Sequence, residues 1–118
     1  MTDKASELGR ITISPRAIAT IASQAALQSY GVVGMASKSI VDGIAMVIAQ
    51  DPRHGVEVRV IEDYLIIDVF IIIEYGTRIS SVATSVANAV HYQVERSLAM
   101  TVASVNVHVQ DLRISDPD

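Results

Sequence analysis

Three histidines, His54, His91 and His108, are the side chains here best suited to proton transfer or metal ligation. Their spacing supports neither role. No two of them form an HxxxH pair. His91 and Glu95 stand four apart on one helix face, a spacing open to a metal ion but more often a solvated surface pair. His108 could reach Asp68 or Glu74 across a sheet as an acid–base pair, although a polar rim needs the same residues. Thr77 and Arg78 precede a helix and could hold an anion there; a cap beside a solvated arginine is the favoured reading. Gly31-Val32-Val33-Gly34 is a GxxG between two predicted helices, where an RNA-binding K-homology domain keeps its phosphate clamp. Such clamps carry a basic residue, and here Val32 and Val33 fill the middle with only Lys38 nearby. The motif is therefore read as a structural turn, with a K-homology-like RNA-binding module as the alternative. No catalytic residue, cofactor site or metal set is assigned.

The bulk properties narrow the classes further. At 118 residues the chain is long enough for one core and too short for two. Thirteen acids outweigh nine Lys and Arg for a net charge of -4, so nucleic acid is disfavoured as a partner: phosphate neutralisation has too few cations. With no Cys, disulfides, Cys-ligated zinc and a thiol nucleophile are excluded. The first ten residues, MTDKASELGR, hold no apolar signal region, and the longest apolar runs fall short of the roughly 20 residues that span a bilayer. A soluble, cytoplasmic protein is expected, reaching a membrane only through a partner.

The elements that must position these residues follow from hydrophobic periodicity. Residues 1–8 read as a flexible N-terminus and Gly9 to Ile13 as a short strand. Ser14-Pro15 then caps a helix running from Arg16 to about Ser29, with Ile18, Ile21, Ala22, Ala25 and Ala26 on its apolar stripe. Ile40, Val41, Ile44, Val47 and Ile48 predict a second helix, followed by a turn over 51–55. Val56, Val58 and Val60 alternate with polar residues, and Glu62-Asp63 makes a hairpin tip leading into the strand Leu65–Tyr75. The longest helix carries Ile79, Val82, Ala83, Val86, Val90, Val94 and Leu98 inward, and a last strand turns Val105, Val107 and Val109 inward. Two strand–turn–helix units, opening at Ile11 and Ile71, share one pattern. The order β-α-(α)-β-β-α-β predicts an α+β fold, a two-layer sandwich with the helices packed on one face of a mixed sheet. It occupies residues 9–114, with a frayed end at 115–118.

The strand YLIIDVFIIIEYG carries the functional expectation. Leu65, Ile67, Val69, Ile71, Ile73 and Tyr75 point to one face; the other holds Ile66, Asp68, Phe70, Ile72 and Glu74. A half-buried strand should be polar on that second face. Three large apolar residues between two carboxylates, rimmed by His108, make it a candidate partner-binding surface. Phe70→Asp is then expected to abolish the contact while the domain still folds.

Read together, GRITISPRAIATIASQAA, YGVVGMA, GVEVRV, IIIEYGTRISSVATSVANAV and VASVNVHVQDLRI resemble the bacterial alkaline-shock protein family, also called the envelope stress response family. The resemblance runs from Gly9 to Ile114 and is nearest the short members often encoded beside a dihydroxyacetone-kinase-like, fatty-acid-kinase gene. Ser97 to Thr101 departs from it, since the family commonly has a glycine-containing turn there. The resemblance implies a small cytoplasmic protein without enzymatic activity or cofactor, linked to cell-envelope or alkaline stress. It implies a protein partner, a membrane-anchored protein or the kinase encoded nearby; the sheet face around Ile66, Phe70 and Ile72 could also hold a second copy of the chain, giving a homo-oligomer. Gly31, Gly34 and Gly76 match the family's glycines, with backbone geometry as their implied role.

Overall fold

The computed structural model describes residues 2–6, 8–36 and 55–115. Strands β1 (Thr2–Ser6) and β2 (Gly9–Ile13) come first, then helix α1 (Pro15–Leu27) and strand β3 (Val32–Met35). Strands β4 (Val56–Ile61) and β5 (Tyr64–Glu74), helix α2 (Ile79–Leu98) and strand β6 (Thr101–Arg113) complete the order. The helix expected around Ile40–Ile48 and the turn before Gly55 lie outside the described residues.

The main sheet is built on β5. Along one edge β4 pairs antiparallel with its first half, Val56 opposite Val69, and β3 pairs antiparallel with its second half, Met35 opposite Ile71. The two meet end to end at Phe70, whose carbonyl accepts from the Ala36 N–H at 2.8 Å and whose N–H donates to the Gly55 carbonyl at 2.9 Å. Along the other edge β6 runs parallel to the whole of β5. Both helices pack on one face of this mixed sheet and against each other. The expected two-layer α+β sandwich is what forms.

Sequence explains the local choices. Ser14 caps α1, its Oγ accepting from the Ala17 N–H at 3.2 Å, and Pro15 fills a position that needs no donor. Ile18, Ala22, Ala25 and Ala26 of α1 and Val82, Val86, Val90 and Val94 of α2 enclose Leu65, Ile67, Val69, Ile71 and Ile73 of β5. Small α1 residues let that helix lie close to the sheet. Ile79 and Ala83, expected in the α2 stripe, are exposed and half-buried because the helix begins at the sheet's rim. Thr77 is not its cap: the Thr77 hydroxyl donates to the Glu74 carbonyl at 2.7 Å, and Arg78 occupies the cap position without a side-chain bond.

Two expectations need correction. The segment Thr2–Ser6 pairs with Gly9–Ile13 as an antiparallel hairpin. That hairpin is a separate two-stranded sheet, so the unit opening at Ile11 is not equivalent to the one opening at Ile71. The GxxG is no turn throughout: Gly31 turns the chain with φ +91°, and Val32–Met35 continue as strand, Val32 opposite Ile73. At the other end, Ser115 is tied down, its Oγ donating to Glu74 Oε1 at 2.7 Å and its N–H to Oε2 at 3.2 Å.

Candidate functional site

The second face of the main sheet carries the residues singled out above, and no described helix or strand packs on it. Alternation along β5 places Ile66, Asp68, Phe70, Ile72 and Glu74 there. β4 contributes Arg59, paired with Ile66, and β6 contributes Asn106 and His108, paired with Asp68 and Phe70. All the candidate partner-binding residues therefore share one face.

Their exposure differs from expectation. Phe70 is 8 % exposed and Asp68 7 %. His108 accounts for part of this: its ring stacks on that of Phe70, centroids 4.5 Å apart and planes 12° from parallel. Its Nε2 also lies 2.9 Å from Asp68 Oδ1, while Arg59 Nη2 donates to Oδ2 at 3.1 Å. Burial pushes the Asp68 carboxyl up, but hydrogen bonds from His108, Arg59 and Asn106 and the Arg59 charge outweigh it. The carboxyl is held below its ordinary value. Ile66, Ile72 and Glu74 are half-buried, and Arg59, Asn106 and His108 are exposed. A visitor to this face meets the isoleucines, the guanidinium and the imidazole edge, with Phe70 beneath them as support.

Sequence reasoning missed Arg59 as a partner of Asp68. The signal was present: a two-residue tip at Glu62-Asp63 fixes the β4–β5 register and sets Arg59 within diagonal reach of Asp68. His91 and Glu95 are 3.5 Å apart, yet both turn to β6: Glu95 Oε2 accepts from the Val102 N–H at 2.9 Å and His91 Nε2 sits 3.2 Å from its carbonyl. Their pairing closes a strand edge. His54 lies outside the described residues, and among those described no three metal-binding side chains gather. The GxxG no longer resembles a clamp, because it is a turn followed by a paired strand and does not join two helices.

No helix among the described residues is long and apolar enough to cross a membrane. In fold, the chain is similar to a MamM-CTD structure: TM-score 0.53 and 15 % identity over 83 % of this chain and 99 % of that one. In sequence it is similar to the uncharacterized protein YloU of Bacillus subtilis, 42 % identical over 111 residues and 92 % of each chain. The uncharacterized protein Spy1614 of Streptococcus pyogenes serotype M6 is 33 % identical over 108 residues, 90 % of this chain and 89 % of that one. The model of the alkaline shock protein 23 family, described as having a cell envelope-related function, matches residues 3–114, and the chain belongs to that family.

Proposed function

We propose that this alkaline-shock-family chain is a non-catalytic interaction protein that docks a protein partner on the helix-free face of its sheet. One observation carries the reading: Ile66 and Ile72 are only half-buried on a face that no described element covers. The Asp68 cluster supports a binding role better than a catalytic one. Both Asp68 oxygens are engaged, and the ring of His108 is held by stacking as well as by the carboxylate. A group fixed on all sides orients a surface; proton transfer needs a free reacting partner beside it.

The contact should be reversible. Phe70 has little surface left to bury, and covering what remains exposed of each isoleucine contributes roughly 1 kcal/mol. Association costs several times that, so polar contacts through Arg59 and His108 must supply the rest. A partner at the cell envelope fits the family's description; a membrane-anchored protein or the kinase encoded nearby would be such a partner.

Phe70→Asp is a poor test, because it would set a second carboxylate beside Asp68 and unfold the strand. Ile66→Glu and Ile72→Glu keep the cluster. A defined protein captured by wild type and by the helix-face control Gln24→Glu should be lost with both variants at unchanged melting temperature. Equal capture by all four would refute the assignment of this face.

A further inference from the structure

The outer edge of β6 is closed at both ends and open in the middle. At its start, the backbone N–H and carbonyl of Val102 are taken by Glu95 and His91 of α2. At its end, Asp111 Oδ1 accepts from the Leu112 N–H at 2.8 Å. Between these, among the described residues, β6 pairs with β5 alone. The pairing register slips between Leu65 and Ile66 and again between Ile71 and Ile72, which leaves Ser104–Val109 as a regular run between two bulges.

That run is unguarded. Natural sheets blunt open edges with charge, proline or bulges to prevent pairing with another chain. From Ala103 to Gln110 the sequence is ASVNVHVQ, with no Asp, Glu, Lys, Arg or Pro. The chain commits two α2 side chains to covering Val102 and bends the strand at each end, yet leaves the centre bare.

The bare centre is also complementary to itself. Val105, Val107 and Val109 lie on the helix side, half-buried against the core, and Asn106 and His108 lie on the other. Antiparallel pairing of the strand with its own copy, centred on Val107, sets Val105 against Val109 and Asn106 against His108 of the second copy. Centred on Asn106, it sets Val105 against Val107 and Ser104 against His108. In both registers valines meet valines and polar groups meet each other, with no like charges opposed. We infer that β6 pairs antiparallel with β6 of a second copy of this chain across a twofold axis, joining two sheets into one. This surface is the sheet's edge, distinct from the face proposed above for a protein partner.

The chain has no cysteine, so a single introduced thiol can form a disulfide dimer only with its own counterpart. Asn106→Cys or Val107→Cys, whichever residue the pairing is centred on, should give an oxidised dimer, and Asn88→Cys, exposed on α2, should not. Sedimentation of the unmodified full chain should show a concentration-dependent dimer whose Ser104–Val109 amides exchange more slowly as it forms. Ser104→Lys should shift it toward monomer, whereas Ile66→Glu should leave the dimer intact, which separates this surface from the sheet face. A monomer at every concentration refutes the inference. So does a dimer with freely exchanging β6 amides and no cross-link at either position.

Discussion

Gly31 offers the sharpest test of what the GxxG is for. It turns α1 into β3 at φ +91°, and a Cβ added there would sit 2.8 Å from Val82 Cγ2 and 3.3 Å from Cγ1. Val82 is 4 % exposed in the first turn of α2, packed in the core, and has no room to withdraw. Gly31→Ala therefore carries two separable costs. Holding an L-residue in the left-handed region costs about 1–2 kcal/mol, and crowding a packed site costs about 1–3 kcal/mol. The sum, about 2–5 kcal/mol, is a large share of the roughly 5–15 kcal/mol that stabilises a domain. It corresponds to a fall in melting temperature on the order of 10 °C for a chain of this size. Urea and thermal unfolding of Gly31→Ala, Val82→Ala and the double variant would divide the two costs. Removing the valine methyls relieves the crowding, so the double variant should be about 1–3 kcal/mol more stable than the sum of the singles. The backbone cost should remain. Gly34, with nothing closer than 3.8 Å to an added Cβ, should accept Ala within about 1 kcal/mol. A Gly31→Ala variant as stable as wild type, or a strictly additive double variant, would show that close approach to α2 is not the reason for this glycine.

The Asp68 cluster predicts an acid-dependent contribution. Because the folded carboxyl titrates below its unfolded value of about 3.9, its stabilisation is present above that pH and lost as pH falls through the folded value. Asp68→Asn should be less stable than wild type at neutral pH, with the gap narrowing below pH 4 in acid-titrated unfolding curves; a constant gap would mean the carboxylate's charge is unimportant. Ala99 closes α2 in the left-handed region at φ 55° and ψ 38°. Ala99→Gly should stabilise the chain by about 0.5–1 kcal/mol in chemical denaturation, the relief of backbone strain exceeding the added unfolded-state entropy; a destabilised variant would contradict that balance.

Local signals made much of this fold legible. The unbroken alternation of β5 identified both the buried row and the opposite face, and Ser14-Pro15 marked the start of α1 within a residue. Ala99 takes the left-handed conformation that closes α2, a position glycine suits better and one that no local pattern marked. What stayed hidden depends on partners distant in the chain. Two valines between two glycines are too few to show a period of two, and Val32–Met35 become a strand only because β5 offers them an edge. Asp68 and Phe70 read as exposed because Arg59 and His108, which reach over them, arrive from two other strands. The β1–β2 hairpin was likewise half-visible: Gly9–Ile13 alternates, but its pairing with 2–6 leaves no mark in so polar a segment.

The meeting of β3 and β4 opposite Phe70 has a consequence for how such a domain can vary. Both run in the same direction along the same edge of β5, so together they form a single row interrupted between Ala36 and Gly55. Departure and return are fixed by the two faces of one peptide position, the Phe70 carbonyl and the Phe70 N–H. Every rung of the ladder lies on one side or the other of that gap, and none depends on how many residues bridge it. Closing a longer bridge costs little, because loop entropy grows only with the logarithm of length. The row thus contains a natural splice point. Residues can be added or removed there while the register on either side stays as it is.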